Sequence, residues 1–249
     1  MAVAVLASAI AAAVVPAGAD QGVVRSVPIH EWFYPGTAEL DGVGGWVYVD
    51  PPGVPGPNQV SNRDYVYEEL FGFTHGGHGA IGLGADAGGP LVGLRLDPPG
   101  AFDPAVPPVT VRYAWQPGRI YFLLAYVLGA GQVGGWVYDL GAATWTYFGS
   151  IQAPPTWGKL APGSAATVHG ARGLPLPSPF SPEPLSTPGV ADCSQFPLAG
   201  VWFSQPYGWR GTTLVLPDVD ANDPAAGCPT GTETANGWFH QTMGTAPTA

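Results

Sequence analysis

The chain has 249 residues, of which 46% are hydrophobic and only 10% charged, with 8 Lys and Arg against 18 Asp and Glu. A net charge of −10 leaves no cluster of cations to displace counterions from phosphates, which excludes nucleic-acid binding and disfavours an anionic membrane surface. The 37 Gly and 29 Pro approach the composition of disordered chains, but 9 Trp, 10 Tyr and 10 Phe are surface that must be buried, so the chain reads as globular and loop-rich.

Met1 to Val15 is Ala/Val-rich, and Ala17-Gly18-Ala19 fits the small-x-small rule for signal cleavage. Residues 1–19 are therefore expected to be a signal peptide, although no Lys or Arg precedes Arg25. The apolar run falls short of the roughly 20 residues that cross a bilayer. The expectation is a secreted, extracellular protein with no membrane span after cleavage.

Candidate strands follow at His30–Tyr34, Gly45–Val49, Tyr65–Phe73, Gly79–Leu83 and Leu91–Leu96, separated by Gly/Pro clusters such as Pro51-Pro52-Gly53 and Pro98-Pro99-Gly100. Val109, Val111, Tyr113 and Trp115 then alternate with Thr110, Arg112 and Ala114, the period of a half-buried strand. Tyr113 and Trp115 are assigned to the core. Gln116-Pro117-Gly118-Arg119 has Pro and Gly where a type II turn needs them. The apolar run to Leu128 suits a helix or a doubly buried strand, and its aromatic content favours the strand. Trp136–Asp139 and Thr144–Phe148 complete what reads as a four-strand meander.

Further strands are placed at Ala166–His169, Ala199–Phe203, Thr212–Leu216 and Gly237–His240. The Pro-rich stretch 172–189 is taken as a surface loop inside one domain rather than a linker. No segment has a convincing 3.6-residue period. Many short strands with turns between them predict an all-β, antiparallel β-sandwich over residues 20–249. Cys193 and Cys228 are the whole thiol inventory. In an exported chain they read as one disulfide, closing a loop worth about 3 to 4 kcal/mol.

Trp32, Trp46, Tyr48, Trp136, Tyr138 and Trp157 are candidate ligand-binding residues, with Trp209 beside them. A pyranose stacks its C–H face on an aromatic plane while polar side chains bind its hydroxyls. In a strand Trp46, Tyr48 and Asp50 share one face and Val47 and Val49 the other, so the valines are expected inside and the rings outside. The alternative is that the rings fill a second core face. Gly44-Gly45-Trp46-Val47-Tyr48 recurs as Gly134-Gly135-Trp136-Val137-Tyr138, read as convergence on a Gly-Gly turn rather than as a repeat.

His75 and His78 share a loop that Glu68, Glu69 or Asp86 would have to complete as a metal site, and hydrogen-bonded histidines are the simpler reading. Asp218, Asp220, Asn222 and Asp223 are the one cofactor candidate, a structural Ca²⁺ loop. Asp223 stands where such loops need Gly, and Pro229 where they need Glu, so a polar turn competes with it. No nucleophile elbow or metal-hydrolase motif is present. Glu68 and Glu69 are adjacent and would point to opposite faces of a strand, while Glu31 or Asp50 against Glu68 is a pairing that sequence leaves open.

Tyr113-x-Trp115-x-x-Gly118-x-x-Tyr121, Trp136-x-x-Asp139, and Gly149-x-Ile151 with Pro154 and Trp157 resemble a family of secreted bacterial proteins catalogued only as a domain of unknown function. Tyr65–Phe73, Gly79–Leu83, Cys193 and Pro206 are compatible with it. The resemblance spans Tyr65 to Pro206. It implies a concanavalin- or laminin-G-like jelly roll associated with carbohydrate, and transfers no catalytic residue. The expected function is a non-catalytic, lectin-like domain whose partner is an extracellular polysaccharide or cell-envelope component. Competing readings are an envelope or matrix protein that binds proteins, and a carbohydrate-active enzyme with a hidden carboxylate pair.

Overall fold

Alternating apolar residues between glycine- and proline-rich turns give a chain made almost wholly of strands. The computed structural model describes residues 28–34, 39–51, 65–86, 88–98, 107–170, 199–217, 219–224 and 229–243. The expected signal peptide, the Pro-rich loop, Cys193 and Cys228 lie outside the described residues.

The strands are β1 (Pro28–Phe33), β2 (Gly42–Val49), β3 (Tyr65–Phe73), β4 (His78–Asp86), β5 (Gly89–Asp97), β6 (Val109–Arg112), β7 (Ile120–Gly129) and β8 (Gln132–Asp139). They continue as β9 (Thr144–Gln152), β10 (Leu160–Gly170), β11 (Ala199–Ser204), β12 (Tyr207–Arg210), β13 (Thr213–Val215), β14 (Val219–Pro224), β15 (Pro229–Ala235) and β16 (Trp238–Met243). A seven-stranded sheet runs β14-β1-β10-β3-β4-β5-β6, and a nine-stranded sheet runs β15-β16-β11-β2-β7-β8-β9 with β12 and β13 attached through β2. The pairings between these strands are antiparallel. The expected all-β antiparallel sandwich is thus present.

The core lies between the sheets. Val43, Val47 and Val49 of β2, with Leu123, Val137, Val201 and Phe203, meet Tyr67, Phe71, Ile81, Leu83, Val92, Leu94 and Leu96 from the seven-stranded sheet, all buried. Trp115 is buried as expected, and its indole N–H donates to the Gly84 carbonyl at 2.8 Å. Tyr113 packs against the same core while remaining partly exposed.

The meander differs from expectation in one strand. β7, β8 and β9 are consecutive neighbours, but β6 pairs with β5 in the opposite sheet. The cause is local: the Trp115 N–H bonds to the Tyr113 carbonyl at 2.7 Å, a three-residue turn that ends the extended run and carries the chain across the sandwich. Gly118, at φ +80, then makes the turn that its type II signature requires. Its N–H bonds to the Val49 carbonyl at 2.8 Å, docking the crossover on β2.

Candidate functional site

The two faces of β2 behave as their alternation demands. Val47 and Val49 are 1% and 2% exposed, while Trp46 and Tyr48 stand part-exposed on the outer side of the nine-stranded sheet. Cross-strand register then assembles an aromatic face. Trp46 lies opposite Phe122, Phe122 opposite Tyr138, and Tyr138 opposite Trp145. In the next row Tyr48 lies opposite Ile120 and Trp202, and Trp202 opposite His240. Phe122 is the hub: Trp46, Trp145, Tyr207 and Trp209 surround it with ring centroids 4.9, 6.0, 5.8 and 6.0 Å away. Trp136 and Tyr147 form a further tilted pair at 5.0 Å.

Glycines make room for these rings. A Cβ on Gly44 would collide with the Leu123 carbonyl oxygen, and one on Gly134 would come within 2.5 Å of the Trp136 ring. The second glycine of each pair faces inward, where Gly45 admits the Glu69 carboxyl and Gly135 admits the Phe148 ring. The repeated Gly-Gly-Trp-Val-Tyr segments are β2 and β8, the two strands that flank β7. Their likeness therefore reflects one packing problem solved on both sides of a strand, not a turn.

Strands from the C-terminal part of the chain turn this face into a trough. β11 follows β2 as far as Phe203, then Ser204, Gln205 and Pro206 interrupt the pairing before β12 resumes it. The Ser204 hydroxyl accepts from the Trp46 N–H at 3.0 Å and donates to the Gln205 carbonyl at 2.9 Å, covering the backbone group that the irregularity strands. Asn236 and Gly237, at φ 52 and 77, form the two-residue loop that joins β15 to β16 and puts Trp238 opposite Ser204. A hollow of about 350 Å³ lies between Trp46, Tyr207, Trp238, Gln205 and Asn236. A second of about 460 Å³ lies between Tyr48, Trp202, Trp238 and Asn236. Ile120, Asn236 and Trp238 line both, so the two adjoin.

The walls are braced. His240 Nε2 lies 2.8 Å from Asp50 Oδ2, and its ring stacks on Trp202 at 4.3 Å and 8°. Asp41 accepts from Lys159 Nζ at 2.8 Å and from the Gly211 N–H at 2.6 Å, tying down the turn between β12 and β13. Those hydrogen bonds hold its carboxyl below the usual range. Gln205 donates its amide N–H to the Pro217 carbonyl at 3.1 Å, which leaves its side-chain oxygen as an acceptor.

Of the residues expected to bind ligand, Trp46, Tyr48, Trp136 and Tyr138 stand together on this face. Trp157 does not. It is 6% exposed, packs on Phe73 at 5.1 Å, and belongs to the core. The short 3-10 turn Pro155–Trp157 folds it inward over Gly77. Trp32 sits in β1 of the other sheet, opposite Ser164 and Asp220, and its side chain lies outside the described residues. Trp202, Tyr207, Trp238, Gln205 and Asn236 were not anticipated. The Asn-Gly pair at 236–237, a strong hairpin signal, pointed to the last of these strands.

The metal readings fare differently. His75 lies 3.2 Å from Thr74 Oγ1 and His78 lies 3.5 Å from Asp97, so the two imidazoles have separate partners. Asp220, Asn222 and Asp223 belong to β14, an extended strand paired with β1 rather than a curled loop. Extension spaces successive residues by about 3.4 Å, which does not gather oxygens around one ion. Asp218 and the side chains of the other three lie outside the described residues. Among the described residues no group of three or more His, Cys, Asp and Glu could hold a metal.

Of the carboxylate pairings the sequence leaves open, β1 register places Glu31 on the same side of the seven-stranded sheet as Glu68, with its side chain outside the described residues, while Glu69 and Asp50 are separated from Glu68. Glu69 enters the core beside Gly45, and burial pushes its carboxyl up to about 8. Glu68 leaves β3 on the other side, where Arg95 reaches it at 3.0 Å and also lies 3.5 Å from Asp97. Glu68 and Asp97 are both 0% exposed. Asp50 belongs to the outer face of the nine-stranded sheet and Glu68 to that of the seven-stranded one, so both sheets stand between them. They cannot act as a pair.

No protein-family model and no curated protein matches the chain. Among solved structures, scytalido-glutamic peptidase with a transition state analog inhibitor superposes with a TM-score of 0.52 at 7% identity. The same peptidase with a peptide-based transition state analog gives 0.51 at 11%, and each covers 88% of this chain and 98% of its own. A structure of lectin UEA-II complexed with galactose covers 88% of this chain and 82% of its own, with a TM-score of 0.34 at 8% identity, too low to carry weight. At these identities the likeness to the peptidase is one of fold: this chain and scytalido-glutamic peptidase share an architecture of antiparallel sheets.

Proposed function

We propose that the protein is a secreted, non-catalytic, lectin-like glycan binder that uses the trough on the outer face of its nine-stranded sheet. The observation that carries this reading is the trough itself, where rings of Trp46, Tyr48, Trp202, Tyr207 and Trp238 meet the side chains of Gln205 and Asn236. Sugar recognition calls for aromatic faces against the C–H side of a pyranose and amides against its hydroxyls. Each hollow falls in the usual range of small-molecule sites, about 300 to 1,000 Å³. Export by the 1–19 leader, a Cys193–Cys228 disulfide, a laminin-G-like jelly roll and kinship with the secreted bacterial family belong to the same proposal.

The fold shared with a peptidase brings a competing reading, in which a glutamate acts on a peptide bond. Of the glutamates on β3, Glu69 is sealed between the sheets and Glu68 is held by Arg95, and neither meets solvent. A catalytic carboxyl has to touch its substrate, so binding is the better supported reading.

Pull-down on insoluble polysaccharides and a glycan array test it. Wild-type protein is expected to be retained, and Trp46→Ala and Trp238→Ala each to weaken binding about tenfold or more, equivalent to about 1.4 kcal/mol. Circular dichroism of both variants checks that they fold. Retention by no glycan removes the reading. Cleavage of a denatured protein substrate, lost in Glu68→Gln, would replace it with the hydrolytic one.

A further inference from the structure

We infer that the ligand of the trough is a glycan longer than a single sugar and free of acidic groups, because every described side chain that lines the two adjoining hollows is uncharged and the described charges beside them, Asp50 with His240 and Arg119 with Asp139, are paired. The inference rests on the glycan-binding reading and narrows it to a substrate class.

Asp50 is engaged by His240, and Arg119 by Asp139, each at 2.8 Å. Arg210 follows Trp209 along β12, so its side chain leaves the strand on the side opposite to the aromatic face. β15 places Glu233 opposite His240 in backbone register, which adds no cation to the trough. A uronate or sulfate entering between the rings would give up its water and find no positive partner in the lining. The chain's net charge of −10 would also repel a polyanion on approach. Aromatic faces and a negative net charge do not oppose a protonated amino sugar, so the exclusion concerns acidic sugars. A neutral sugar needs only donors and acceptors, which Gln205 and Asn236 supply at the rim. Ile120, Asn236 and Trp238 line both hollows, so the trough extends past one ring and a chain can follow it.

Affinity electrophoresis of the whole protein through native gels separates the outcomes. The gels contain soluble glucomannan, arabinoxylan or hydroxyethylcellulose as neutral polymers and polygalacturonate or alginate as anionic ones, all at 150 mM salt. At least one neutral polymer is expected to retard the protein, the anionic ones not to, and Trp238→Ala to abolish the shift. Gln205→Arg supplies the missing cation and is expected to introduce retardation by polygalacturonate. Retardation by an anionic polymer equal to or above that by every neutral one overturns the inference while leaving glycan binding standing. No retardation by any polymer overturns both.

Discussion

The outer faces of the two sheets use opposite chemistry. On the nine-stranded sheet the face is aromatic and open, with Trp145 and Tyr147 51% and 50% exposed and uncharged hollows beside them. On the seven-stranded sheet the same side of β3 and β5 carries Glu68, Arg95 and Asp97, and these charges are 0 to 6% exposed. A surface built to meet a ligand keeps apolar rings accessible at a cost in folding stability that binding recovers. A buried charge tolerates neither exposure of its neighbours nor loss of its partner. Charge here reads as architecture, and aromaticity as the working surface.

The contrast is tested most severely at Arg95. Arg95→Met leaves Glu68 and Asp97 buried without the guanidinium that joins them, and the expected loss is about 3 to 5 kcal/mol of stability, read as a lower urea midpoint. A change below about 1 kcal/mol would mean that the cluster is solvated and that the two faces differ less than described.

Glu69 predicts an effect of a few kcal/mol that depends on pH. The folded state keeps the Glu69 proton up to about pH 8, whereas the unfolded chain releases it near 4.5. Between those values the folded state binds more protons, so stability falls as pH rises from about 4.5 to 8 and levels off outside that window. His78 works the other way: desolvation, then Arg95, lower its pKa, so its contribution is lost as pH falls below 6.5. Thermal or urea unfolding across pH 4 to 9 measures the balance. Glu69→Gln should remove the decline toward pH 8 and leave the losses on the acid side, from His78 and from Asp41.

Gly44→Ala probes how closely the rings lie on the sheet. Its methyl would meet the Leu123 carbonyl, and overpacking of this kind costs about 1 to 3 kcal/mol. A smaller loss would show that β2 and β7 can separate without disturbing the aromatic face. The mildest expectation is for Trp145→Ala, where a half-exposed ring at an edge strand is removed. About 1 to 1.5 kcal/mol should be lost, since about half of its surface leaves water on folding.

Much of the scaffold was legible in the sequence because it follows from local rules. Tyr65–Phe73 spans β3 as foreseen, Val47 and Val49 turn inward while Trp46 and Tyr48 turn outward, and Gly118 takes the positive φ of a type II turn. The opposed directions of Glu68 and Glu69 follow from the same period of two. Trp157 was misplaced because a lone Trp after Pro154-Pro155-Thr156 carries no alternation to assign it a face. Residues 219–224, read from sequence as part of a turn or ion loop, are a strand because β14 exists only through its pairing with β1.

By itself, then, the sequence determined which side the side chains take in strands that alternate, such as β2 and β3, since that depends on residues one and two positions away. The tertiary structure alone decided which strands are neighbours, and so which rings meet. Asp50 and His240, 190 positions apart, brace the trough, and Trp238 closes it beside Trp46 across β11. Strand pairing is non-local, with partners chosen by register and core packing over the whole chain, and no window of sequence contains the face that those choices create.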